Sequence, residues 1–107
     1  MTSLDERRRA LEDGYILDRE RSFKVAARRD RLLAKWAAPL VARADVEDYV
    51  IEVLEAGLAT PGDENVLNKI LGDFVAAGRD TDEAVVREKM RELMYQAAEQ
   101  MERESRR

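Results

Sequence analysis

Between Asp63 and Gly78 the apolar residues are Val66, Leu67, Ile70, Leu71, Phe74 and Val75. Steps of one, three and four put them on one side of a helix, and a strand cannot use that pattern. Asp63 and Glu64 favour the positive start of such a helix, and Gly78 supplies its stop. A second stripe reads Val46, Tyr49, Val50, Val53 and Leu54, with Asp45 as expected N-cap and Gly57 as expected left-handed C′ residue. A third reads Val86, Met90, Leu93, Met94, Ala97 and Met101. Its helix is expected from about Thr81, with Asp80 as N-cap and Glu83 reaching back to it. Only Gly14, Pro39, Gly57, Pro61, Gly62, Gly72 and Gly78 interrupt helix-favouring sequence, and no β-branched alternation is present.

The first forty residues differ in kind. A helix is expected from Leu4 to about Ala38, ended by Pro39, with a kink there as the alternative. Phe23, Ala26, Ala27, Leu33, Trp36 and Ala37 are available for burial in its second half. The first half has only Leu4, Leu11, Tyr15, Ile16 and Leu17 among many charges, too little apolar surface to offset the entropy of ordering. Gly14 weakens that stretch by roughly 1 kcal/mol relative to Ala. Residues 1–18 are therefore expected to fray or to sit loosely on the rest. Short loops make successive helices neighbours, so the expected fold class is all-α: a small four-helix bundle with a long, partly mobile N-terminal helix. The expected division is a mobile arm, 1–18, and a bundle domain, 19–107.

The chain has 107 residues with neither Cys nor His, which leaves room for one modest core. It excludes thiolate or imidazole metal sites, disulfides, and Ser-His or Cys-His catalytic pairs. No stretch resembles a membrane span or a signal peptide, so a cytoplasmic protein without direct membrane insertion is expected. The net charge of −4 argues against general nucleic-acid binding. That charge is uneven: residues 36–86 are strongly acidic, and the flanking ends are slightly basic.

Several groups have two readings. The Met90, Met94 and Met101 stripe reads as core before it reads as an adaptable groove. Trp36 reads as core or half-core. The acidic clusters at Asp45/Glu47/Asp48 and Asp63/Glu64 lie at helix starts, where the dipole accounts for them without metal. Arg28-Arg29-Asp30-Arg31 reads as a solvated face with local ion pairs, although a phosphate-bearing ligand could use Arg28, Arg29 or Lys35. Leu4, Leu11 and Tyr15 share one helix face flanked by Arg7 and Arg8. A partner groove could order that segment, against the plainer reading of a solvated terminus.

The stretch Phe23-Lys24, then Ala27-Arg28-Arg29-Asp30-Arg31-Leu32-Leu33-Ala34-Lys35-Trp36-Ala37-Ala38, resembles the ζ-subunit family of α-proteobacterial F1F0-ATP synthases, whose members read F-K-x-x-A-R-R-N-[KR]-L-L-G-x-W-A-A-E. Arg7-Arg8-Arg9-Ala10-Leu11-Glu12-Asp13-Gly14-Tyr15 resembles the family's E-R-x-A-F-E-x-K-F. The resemblance implies a regulatory subunit, not an enzyme. It would bind the F1 head and inhibit ATP hydrolysis by wedging its N-terminal helix at a catalytic α/β interface near the γ subunit. The contacts carried over are Leu4, Arg7, Arg8, Leu11 and Tyr15. The resemblance also implies a peripheral place on the membrane-bound synthase, and a free monomer is expected. It implies no cofactor beyond weak ATP or ADP binding, for which Arg28, Arg29 and Lys35 are the candidates. Here Leu11 stands for the family's Phe, Gly14 for Lys, Asp30 for Asn, Ala34 for Gly and Pro39 for Glu. A smaller anchor and a glycine inside the wedge should both weaken insertion. The alternative function is a helical-bundle sensor that weakly binds adenine nucleotide.

Overall fold

The computed structural model describes residues 3–106, with side chains for residues 4–9 and 18–106. The described residues form four helices: α1 (Ser3–Leu40), α2 (Val46–Ala59), α3 (Glu64–Ala76) and α4 (Glu83–Ser105). α1 packs mainly on α2 and α4, α2 on α3, and α3 on α4, while α1 meets α3 only marginally. Arg28 pairs with Glu104 while Lys89 lies over Trp36, so α1 and α4 run antiparallel. Antiparallel α2 and α3 are joined by Glu52 to Lys69 and Tyr49 to Asp73. Thirty-eight residues make α1 about 57 Å long. The molecule measures 64 × 31 × 24 Å, so α1 sets its long dimension.

The core follows the predicted stripes. Tyr49, Val50 and Val53 of α2, Val66, Leu67, Ile70 and Phe74 of α3, and Val86, Met90 and Leu93 of α4 are buried together. From α1 come Leu33, Ala34, Ala37 and Ala38, mostly small side chains that let α2 and α4 approach closely, and Val41 joins them from the turn that follows. Each buried Leu- or Val-sized side chain contributes about 1.5–3 kcal/mol. Two residues expected inside are not: Val75 is strongly exposed and Phe23 is exposed. Trp36 is half-buried, within its expected range, and packs against Phe74 with ring centroids 6.1 Å apart. Val75 steps past the edge of its stripe, and Phe23 precedes Val25, the first buried residue among those described on α1.

The helix ends correct four expectations. α1 does not stop at Ala38. It passes through Pro39 to Leu40, because proline's fixed φ is itself helical and only one intrahelical bond is forfeited. It closes in a Schellman motif: Arg43 N donates to Ala38 O at 2.8 Å and Ala42 N to Pro39 O at 3.3 Å. Ala42 takes the left-handed conformation there, at φ 61°. α2 does not end at Gly57 but continues to Ala59. α4 begins at Glu83 rather than Thr81. Its cap is Asp82, whose carboxylate accepts from Val85 N at 2.9 Å, and not Asp80. Gly78 ends α3 as expected, at φ 71°.

Candidate functional site

The N-terminal half of α1 rises out of the packed core. Leu4, Arg7 and Arg8 are exposed, Leu4 to 73%. Arg7 and Arg8 have no ion-pair partner among the described residues. The side chains of Leu11 and Tyr15 lie outside the described residues. Residues 18–24 are exposed as well, and among the described side chains of α1 burial starts at Val25. The described part of this helix thus offers an apolar anchor and arginines to solvent on a scaffold held at its other end.

Two of the three Asp residues at helix starts do not cap with their side chains. The Asp45 and Asp63 carboxylates make no capping bond. Arginines take them instead: Arg43 Nε and Nη2 reach Asp45 at 2.8 Å each, and Arg29 Nη2 reaches Asp63 at 2.8 Å. The helix dipole explains the acid at these positions, and the arginine explains where the oxygens point.

Arg29 is the centre of a buried ionic cluster that sequence reasoning missed. It is only 3% exposed and Asp30 only 5%. Its Nε donates to Asp30 Oδ1 at 2.8 Å while Nη2 holds Asp63. One guanidinium therefore ties α1 to the start of α3. Burial pushes the Asp30 carboxyl up, opposed by Arg29, while the hydrogen bond from Arg29 holds the Asp63 carboxyl down. The expected solvated face at Arg28–Arg31 is thus corrected: Arg31 is exposed, but Arg29 and Asp30 are inside. A charged run carries no mark of which members turn inward. The clue was Gly57, which leaves room for Asp30.

A second network lies at the other end. Glu52 accepts from Lys69 Nζ at 2.9 Å and also pairs with Arg43. Together these bonds hold its carboxyl down to about 2. Arg43 and Lys69 also lie over the buried Tyr49 ring, 5.0 and 5.4 Å from its centroid. Burial and a 2.7 Å bond to Asp73 raise the Tyr49 phenol.

The three nucleotide candidates do not converge. Arg28 and Lys35 line one groove of about 320 Å³ with Arg31, Leu32, Leu54 and Gln100. Arg29 is not part of it. Arg28 is bound bidentately by Glu104 at 2.7 Å on both nitrogens, whereas Arg31 and Lys35 have no ion-pair partner among the described residues. Among the described residues no helix is long and apolar enough to cross a membrane.

With an all-helical bundle and a projecting first helix in place, the comparison with known families is decisive. The family model described as ATPase inhibitor subunit zeta matches residues 1–100. The chain belongs to that family. It is accordingly an ATP synthase inhibitor, a regulator rather than an enzyme, and its working association is with ATP synthase. No curated protein matches the sequence. The matched segment takes in both the N-terminal half of α1 and the Arg29 cluster.

Proposed function

We propose that the chain binds the F1 head of ATP synthase and inhibits ATP hydrolysis by inserting the N-terminal part of α1 at a catalytic α/β interface beside the γ subunit. The division proposed is an inserting arm, 1–18, carried by the bundle, 19–107. The bundle stays outside and keeps the protein peripheral on the membrane-bound enzyme. The observation that carries this reading is the exposure of every described side chain on α1 before Val25. An amphipathic helix with apolar anchors and a charged rim suits a groove, and attachment to a folded bundle limits the ordering cost of insertion. Leu4, Arg7, Arg8, Leu11 and Tyr15 are the proposed contacts.

The test is ATP hydrolysis by the cognate F1 with the full chain and with a chain lacking residues 1–18. Loss of inhibition on truncation supports the reading. Equal inhibition by both would place the inhibitory element in the bundle, and no binding of the full chain would remove the F1 reading.

A second reading rests on the groove of Arg28, Arg31 and Lys35, where two cations remain available for an anion. There the phosphates of ATP or ADP would bind weakly, with Leu32 and Leu54 against the base. NMR shifts confined to these residues on titration with ATP support it. Their absence removes it.

A further inference from the structure

The carboxylates between Asp45 and Asp73 fall into two sets. Asp45, Glu52, Asp63, Glu64 and Asp73 are each ion-paired. Glu47, Asp48 and Glu55, all on the outward side of α2 and exposed, have no ion-pair partner among the described residues. The dipole accounts for Glu47 and Asp48 in the first turn of α2. It does not account for Glu55, which lies toward the negative end of a helix with no basic residue in its last turn.

The same side of α2 is apolar where a free surface would be polar. Ile51 is 53% and Leu58 65% exposed, two helical turns apart, and half-buried Leu54 lies between them on the same stripe. Leu58 continues into a groove of about 380 Å³ shared with Phe23 and Pro61. Phe23, 60% exposed, is on α1 just before the helix enters the core. An apolar strip with a rim of unpaired acid therefore runs along α2 and ends at the base of the projecting helix.

We propose that this outward face of α2, continued by Phe23, is the surface that docks the bundle on the F1 head, and that it takes a basic amphipathic helix there. The inference rests on the F1 reading above and adds the surface and the chemistry of its counterpart. Apolar anchors at the spacing of Ile51, Leu54 and Leu58 suit a helix laid along α2. Unpaired carboxylates on the rim call for lysine or arginine on the partner and give the contact a salt dependence. Continuity through Phe23 lets one partner meet the docking face and the arm together.

The experiment measures affinity of the full chain for the cognate F1, and ATPase inhibition, for the wild type and two double variants. The first is Ile51→Ser with Leu58→Ser; the second is Glu47→Lys with Glu55→Lys. All four positions are on the surface, and circular dichroism checks that each variant keeps its helices. Both are expected to weaken binding by tenfold or more. The charge variant is expected to lose most of the wild type's salt dependence. Inhibition at saturating concentration is expected to persist, because the arm is unaltered. Wild-type binding with both variants within twofold of it would overturn the docking face and leave the F1 reading standing. No wild-type binding would overturn both. Concentration-dependent dimerisation lost in the variants, with F1 affinity unchanged, would assign the face to a second copy of the chain and overturn the proposal.

Discussion

The Asp30 carboxylate occupies the space in which Gly57 lacks a side chain: a Cβ on Gly57 would stand 2.6 Å from Asp30 Oδ2 and 3.3 Å from Val66 Cγ2. This glycine lies within a helix, where glycine costs about 1 kcal/mol against alanine. The close approach of α1 and α2 around a buried carboxylate explains why it is there.

Gly57→Ala is therefore expected to destabilise the fold by about 1–3 kcal/mol, because Asp30 is held by Arg29 and cannot swing away. Gly72→Ala is the control. Gly72 is in α3 with nothing within 4 Å of its would-be Cβ, and alanine there should gain up to about 1 kcal/mol. Urea midpoints of the two variants should move in opposite directions.

Removing the guanidinium tests the cluster itself. Arg29→Met would leave Asp30 buried without its cation, at a cost of about 3–5 kcal/mol. Asp30→Asn introduced with it removes the stranded charge, so the double variant should lose clearly less than the sum of the two single losses. Strict additivity in chemical denaturation would show that the two side chains are not coupled.

Ala42 is a non-glycine residue in the left-handed region, at φ 61°, closing α1. Relief of that strain should make Ala42→Gly stabilising by about 0.5–1 kcal/mol despite glycine's larger unfolded-state entropy. Gly78→Ala, in the equivalent place on α3, should lose about 1 kcal/mol. Thermal melts of both variants check the pair.

Stability at acid pH should depend on Glu52. Arg43 and Lys69 hold its carboxyl at about 2, below an ordinary 4.5. A carboxyl lowered in the folded state contributes stability above its unfolded value and loses it as pH falls through the folded one. The Glu52 contribution is thus complete above pH 4.5 and fades toward pH 2. Asp30, raised by burial, has the opposite sign: it favours the fold at low pH and less so as pH rises through its folded value. Glu52→Gln should flatten the fall in urea midpoint between about pH 4.5 and 2, and an unchanged slope would count against this assignment.

The sequence alone determined the helical class, the three later stripes and the stop at Gly78, because periodicity and left-handed glycine are local properties of the chain. It also marked residues 1–18 as too polar to bury themselves. Tertiary structure decided what a charged or small residue was for. Gly57 read as a helix stop, yet it is a contact point, because the carboxylate that needs its space comes from a residue twenty-seven positions earlier. Arg29 and Asp30 read as surface, yet they lie inside, because Asp63 at the start of α3 completes their pairing. Pro39 read as a stop, yet α1 runs past it into a turn closed by backbone bonds beyond Leu40. The exposed acid on α2 became distinctive only when its neighbours were seen to be paired. Such pairings are set by which helices meet, and burial rather than local propensity chooses those meetings.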